Sequence, residues 1–254
     1  MELMSNAAAV SVKNLGFKYP GQSGVQFSHL NLEIQAGERF GLFGPNGAGK
    51  TTLMNCMIGL LAFKEGSIQM MGHEVNSRKK IVNKLFGFVP QDFSFYQELS
   101  PVQNLEFFGA WNGLEKNEIK KRTDELLEVL GLSDVRNKQV HKFSGGMKRR
   151  VNLAIGVINK PAILFLDEPT VGVDVQTGHA IINYLKELNK QGTTLIYTSH
   201  QLNEAEELCD KIALIDEGKI IAHNTLDVLC AEHEEEGLEG LFLNLTGKAY
   251  RDDV

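Results

Sequence analysis

The sequence predicts an α/β fold: a mixed, largely parallel sheet core, an antiparallel β region ahead of it and a helical insert within it. Three observations predict it. A glycine-rich loop, Gly44-Pro45-Asn46-Gly47-Ala48-Gly49-Lys50-Thr51-Thr52, follows a short apolar run, Phe40 to Phe43. A second apolar run, Ile163 to Leu166, ends in two acids, Asp167 and Glu168. Between the two, from Ser100, the hydrophobic periodicity changes from that of strands to that of helices.

The loop fits the G-x-x-x-x-G-K-[ST] pattern. Its glycines let successive N–H groups converge on phosphates, Lys50 adds a point charge, and the Thr51 hydroxyl can ligate Mg²⁺. Thr51 to Leu61 reads as a helix whose N-terminal dipole favours the same anion. The pattern announces a nucleoside-triphosphate site, the alternative being a glycine loop with an incidental lysine. Kinases, GTPases, helicases and transporter ATPases all hold phosphates by this physics, so the rest of the chain decides among them. Ile163 to Leu166 reads as a strand buried on both faces that delivers Asp167 and Glu168 to its C-terminal edge, where open α/β sheets bind ligands. Asp167 would bind magnesium directly or through water. Glu168 would orient and deprotonate the water attacking the γ-phosphate, unless the pair is only the solvated start of a loop.

The other elements follow in order. Val10 to Val12, the alternating Leu30 to Ile34, and Phe40 to Phe43 are strand candidates. Ser100-Pro101-Val102-Gln103 supplies an N-cap, a first-turn proline and a capping-box glutamine, and a second helix is expected from Asn117 to Leu130 before Gly131. Strands return at Ile163 to Leu166, Thr193 to Thr198 and Ile212 to Ile215, with a hairpin turn near Glu217-Gly218. The tail from Ala231 reads as an acidic turn followed by a short docked helix bearing Leu238, Leu241, Phe242 and Leu245. This divides a single domain, residues 1–254, into a catalytic lobe of about 8–90 and 160–230, a helical subdomain of about 91–159 and a tail of 231–254.

Phe143-Ser144-Gly145-Gly146-Met147 narrows the class. A serine before two glycines is by itself a turn or helix cap. Taken with the phosphate loop, Gln91 in Gly87-Phe88-Val89-Pro90-Gln91-Asp92, the acids followed by Pro169-Thr170, Asp174, and His200 in Tyr197-Thr198-Ser199-His200, the chain resembles the ATP-binding cassette (ABC) family from Val10 to about Ala222. The resemblance implies a P-loop NTPase of the ABC type that binds ATP and Mg²⁺. It implies an adenine platform at Tyr19, contact of Gln91 with the metal or the attacking water, and a γ-phosphate hydrogen bond from His200. It further implies a head-to-tail dimer of the chain with itself, in which Ser144, Gly145 and Gly146 serve the ATP of the other subunit. Of the site residues, Lys50, Gln91, Glu168 and His200 would be catalytic. Tyr19, Gly44 to Thr52, Ser144 to Gly146 and Asp174 would bind nucleotide, and Thr51, Gln91 and Asp167 would hold the metal.

Two positions depart from the commonest family pattern: Phe143 stands for the usual leucine and Met147 for the usual glutamine, which bears on the affinity of the closed dimer. Ser-Gly-Gly-Met-Lys-Arg-Arg resembles the branch that drives exporters of drugs, lipids or polysaccharides. Lys148, Arg149 and Arg150 crowd the first turns of the expected helix, where cations oppose the macrodipole. Either an anion lies nearby, or they form a solvated charged face.

The formal net charge of −6 with no long basic stretch argues against nucleic-acid binding. Cys56, Cys209 and Cys230 show no metal or disulfide spacing and fit a reducing compartment. The N-terminus lacks the regions of a signal peptide, and no apolar run approaches the roughly 20 residues that cross a bilayer. A transporter motor built on this chain would sit in the cytoplasm, peripheral on the inner face of the membrane, bound to a separate integral membrane permease. The aromatic residues Phe93, Phe95, Tyr96, Phe107, Phe108 and Trp111 either receive a helix of that permease or pack the insert's own small core. The other functional expectation is a soluble cassette ATPase that regulates or assembles a protein complex. A GTPase is excluded by the lack of Asn-Lys-x-Asp.

Overall fold

A computed structural model describes residues 8–21, 24–199 and 201–247. The chain begins with strands β1 (Ala8–Phe17), β2 (Phe27–Gln35) and β3 (Arg39–Phe43), then helix α1 (Lys50–Met57). Strands β4 (Glu65–Met70) and β5 (His73–Glu74), the short α2 (Lys79–Val82) and β6 (Phe86–Val89) complete the first part. The helices α3 (Pro101–Trp111), α4 (Lys116–Val129) and α5 (Gly145–Gly156) follow β6. Then come β7 (Ile163–Asp167), α6 (Val175–Lys190), β8 (Thr194–Thr198), α7 (Leu202–Leu208), β9 (Lys211–Asp216) and β10 (Lys219–Thr225). Helices α8 (Leu226–His233) and α9 (Leu238–Thr246) close the chain. No helix among the described residues is long and apolar enough to cross a membrane.

Two sheets carry the fold. The first is antiparallel, ordered β2-β1-β4-β5. The second is ordered β10-β9-β3-β8-β7-β6 and is parallel except for the terminal β10. Because side chains alternate across a strand, β7 divides its apolar run between two cores. Ile163 and Phe165 join the cluster formed with α1 and the antiparallel sheet. Leu164 and Leu166 join the cluster formed with α3 to α9. Each such buried side chain contributes about 1.5–3 kcal/mol, which is why the central strands read as unbroken hydrophobic runs.

Local chemistry sets the element ends. Ser100 and Gln103 form the expected capping box at the start of α3. Helix α4 buries Ile119, Thr123, Leu126 and Leu127 along one stripe and stops one residue before the expected Leu130, with Gly131 in the left-handed region. The β9–β10 hairpin turns at Glu217 and Gly218, both at positive φ, as a two-residue turn between twisted strands requires. The tail docks as expected: Leu238, Leu241 and Phe242 are buried, and Leu238 N–H donates to Glu206 Oε1 of α7 at 2.5 Å.

Two elements differ from the sequence reading. Helix α1 ends at Met57 instead of continuing to Leu61, because Gly59 takes φ 73° and the N–H groups of Leu60 and Leu61 both fold back onto the Asn55 carbonyl. Strand β1 runs well beyond Val12, carrying the polar Lys13 and Asn14 through an irregularity where Asn14 has φ 50°.

Candidate functional site

Strand β3 lies between β9 and β8, and β7 follows β8. The C-terminal ends of these parallel strands therefore meet at one edge of the sheet, the place where α/β folds collect ligand-binding loops. The glycine-rich loop leaves β3 there and closes into α1, with Gly49 as its N-cap at φ 112°, a conformation that glycine adopts at little cost and that residues with a Cβ rarely adopt. Gly44 is required for a different reason: a Cβ there would overlap the Ile215 carbonyl of the neighbouring strand. The buried Lys50 folds back over the loop, its Nζ donating to the Gly44 carbonyl at 2.7 Å and the Pro45 carbonyl at 3.2 Å. Burial lowers its pKa, and the Glu168 and Asp167 carboxylates oppose that shift.

The two acids arrive from β7. Asp167 sits opposite Thr198 in the β7–β8 register. The Thr198 hydroxyl donates to Asp167 Oδ1 at 2.7 Å, and Thr51 Oγ1 donates to Oδ2 at 3.3 Å. Burial raises the Asp167 pKa, an effect the two threonines and Lys50 counter and Glu168 reinforces. Glu168 is buried and adopts φ 51°, outside the conformations a residue with a side chain prefers. Its N–H donates to the Thr198 carbonyl at 3.1 Å, and its Oε2 accepts from Gln91 Nε2 at 2.8 Å. Gln91 stands just beyond β6, so loops that leave β3, β7 and β6 converge at one edge of the sheet.

Lys50, Thr51, Gln91 and Glu168 line one open cavity of about 650 Å³. Gln26, Val171, Gly172 and Gln201 also line it and were not singled out in the sequence. Tyr19 lies beside the loop with its hydroxyl 2.9 Å from Thr52 Oγ1 and its ring edge-on to Phe17. It opens onto a neighbouring, more apolar cavity of about 690 Å³ that Phe17, Pro20, Val25 and Phe63 share. Asp174 is an exposed N-cap for α6, its carboxylate accepting from Thr177 N–H at 2.9 Å and from the Thr177 hydroxyl at 2.7 Å. His200 lies outside the described residues.

Ser144, Gly145 and Gly146 do not line the cavity. Ser144 caps α5 through Met147 N–H at 3.3 Å, and Ser144 and Gly145 are exposed. Of the cations that follow, Arg149 and Arg150 are held by backbone carbonyls. Arg149 is buried, its guanidinium donating to the carbonyls of Gln91 at 2.7 Å, Val171 at 3.1 Å and Pro90 at 3.4 Å. Arg150 donates to Leu130 O at 2.9 Å at the end of α4, where a cation suits the dipole. Helix-dipole reasoning missed this because the partners come from loops distant in sequence.

The aromatic residues divide into two groups. Phe93 and Phe95 pack together, centroids 5.4 Å apart, with the Arg149 guanidinium 4.9 Å from the Phe93 ring centre. Tyr96, Phe107, Phe108 and Trp111 form an outer group, and Trp111 is 80% exposed.

Phosphate loop, adjacent acids on a buried strand and the sheet order together define a P-loop nucleotide-binding ATPase domain. A family model described as ABC transporter matches residues 27–171. The chain belongs to the ABC transporter family. It is 42% identical over 202 residues to the linearmycin resistance ATP-binding protein LnrL of Bacillus subtilis (strain 168), a match covering 80% of this chain and 65% of that protein. It is 40% identical over 238 residues to the Nod factor export ATP-binding protein I of Cupriavidus metallidurans, covering 91% of this chain and 78% of that one. The chain thus spans about two-thirds of the first relative's length. Among solved structures it resembles the dimeric post-hydrolysis state of the ATP-binding cassette MJ0796 bound to ADP and Pi, with TM-score 0.78, 28% identity, and coverage of 85% of this chain and 98% of that chain.

Proposed function

We propose that this chain is the ATP-hydrolysing motor subunit of an exporter, closing as a head-to-tail dimer around two Mg-ATP and driving a separate membrane permease from the cytoplasmic face. The observation that carries the reading is the convergence of Gln91 and Glu168, 2.8 Å apart, on the cavity floored by the phosphate loop. Lys50 and the loop N–H groups would hold the β- and γ-phosphates, and Tyr19 would stack the adenine. Glu168 would take the proton of the attacking water, and Gln91 would orient that water. His200 and Asp174 retain their proposed roles at the nucleotide.

The oxygens of Thr51, Asp167 and Gln91 are the hard donors that Mg²⁺ accepts, and the proximity of Thr51 to Asp167 fits a shared ion. When bound, the ion would neutralise charge on the β- and γ-phosphates.

The dimer is supported by the capped N-terminus of α5, where Ser144 and Gly145 are exposed and do not line their own chain's cavity. It is supported also by the dimeric state of the similar ADP-bound cassette. An export role is supported by the relative named for Nod factor export, and the outer aromatic group would receive the permease. We retain a single domain, with the lobe, insert and tail divided as in the sequence.

Glu168→Gln tests the chemistry. It should bind Mg-ATP as the wild type does, suppress turnover by about 100-fold or more, and accumulate an ATP-bound dimer in size-exclusion chromatography. Wild-type turnover in that variant would remove Glu168 from the role of base. Purification of the tagged chain from detergent-solubilised native membranes tests the partner: a stoichiometric polytopic protein is expected, and soluble partners alone would refute it.

A further inference from the structure

Helix α5 carries a guanidinium into the interior. Arg149 is only 5% exposed, and burying such a charge is unfavourable unless its donors are satisfied. Its partners are backbone carbonyls of two separate loops. Nη1 donates to Gln91 O at 2.7 Å and Pro90 O at 3.4 Å; Nη2 donates to Val171 O at 3.1 Å. Three residues further along α5, Asn152 Nδ2 donates to the same Pro90 carbonyl at 3.0 Å. One helix face thus grips the loop that carries Gln91 and the loop that carries Glu168.

A planar fork can span both loops at once, whereas a lysine offers a single point of contact and an apolar residue of similar size offers none. The grip falls where it is needed. Glu168 is held at φ 51°, and a conformation of that kind persists only when its surroundings fix it. Arg149 also shares a field with the carboxylates of Glu168 and Asp92, which oppose the lowering of its pKa by burial. The start of α5 abuts the second loop as well, since a Cβ on Gly145 would lie 3.3 Å from the Gly172 carbonyl.

We propose that Arg149 is a positioning residue for hydrolysis, setting the Gln91 loop and the Glu168–Gly172 loop in mutual register so that the two side chains meet over the phosphate loop. This rests on the ATPase reading above. It also makes α5 a rigid link: the helix that presents Ser144 at its exposed end is tied by Arg149 to the catalytic loops of its own chain.

The test is steady-state ATPase kinetics, nucleotide affinity and thermal unfolding for the wild type, Arg149→Met and Arg149→Lys, with each substitution repeated in a Gln91→Ala background. Arg149→Met should lower kcat about 10-fold or more with KM for ATP within about twofold, since misplaced groups cost rate more than ground-state binding. Arg149→Lys should recover only part of the loss. In the Gln91→Ala background the Arg149 substitution should cost markedly less than in the wild type, because part of what it positions is already gone. Unchanged kcat in Arg149→Met, or effects that simply multiply, would overturn the proposal. Failure of both variants to fold would do the same, leaving Arg149 as a residue that only holds the fold. A wild type without turnover would remove the ATPase reading, and this inference with it; an active wild type beside an equally active Arg149→Met sinks this inference alone.

Discussion

Replacing Thr198 by valine isolates one hydrogen bond at the centre of the site. Thr198 is fully buried in β8 and its hydroxyl donates to Asp167 Oδ1 at 2.7 Å. Valine keeps the volume and the β-branching, and it leaves in place the backbone carbonyl that accepts the Glu168 N–H. What is lost is a buried hydrogen bond to a carboxylate, worth about 1.5–3 kcal/mol. For a chain of this length each kcal/mol moves the unfolding midpoint by about 2–4 °C, so a fall of about 3–12 °C is expected at neutral pH. The pH dependence has a definite sign. Burial raises the Asp167 pKa above the usual 3.8, so the folded state holds the proton more tightly than the unfolded state does. Ionising Asp167 therefore costs stability: its contribution is present below the unfolded value and lost as pH rises through the folded one. The Thr198 bond favours the ionised form, so the variant's Asp167 pKa should rise further still. The stability penalty of Thr198→Val is then largest above that new value and shrinks as pH falls from it to the wild-type value. Urea unfolding of both proteins without nucleotide, from about pH 8 to about pH 4.5, measures the gap through the midpoints at equal m-value. A gap that stays constant across this range, or one under about 0.5 kcal/mol at pH 8, would show that the hydroxyl does not hold Asp167.

Two further substitutions address the loop and the surface. Gly44→Ala places a methyl against the Ile215 carbonyl, which is backbone and cannot swing away, so equilibrium binding should show a loss of Mg-ATP affinity; wild-type affinity would mean that β3 and β9 separate more readily than their pairing indicates. Trp111→Ser removes an 80% exposed ring, so stability should change by less than about 0.5 kcal/mol while co-purification with a membrane partner falls; retained co-purification would take Trp111 out of the docking surface.

The sequence by itself determined the phosphate loop, the strand that ends in Asp167 and Glu168, the capped start of α3 and the turn at Glu217-Gly218. These are local: a loop that needs glycine, a strand whose two faces are both apolar, a cap within four residues and a two-residue turn are all written in contiguous chain. The tertiary structure decided what each polar group does once the chain is folded. Thr198 looks like the end of an ordinary strand until the parallel β7–β8 register sets it opposite Asp167. Arg149 looks like a surface cation against its helix dipole until two loops, 58 and 22 residues away in sequence, bring it their carbonyls. The aromatic residues that read as one cluster separate into a half-buried pair, Phe93 and Phe95, against Arg149 and an outer group built on Tyr96 and α3. The physical reason is common to Thr198 and Arg149: a buried donor or charge pairs with whichever acceptors the fold brings within about 3 Å, and neither composition nor periodicity records that distance.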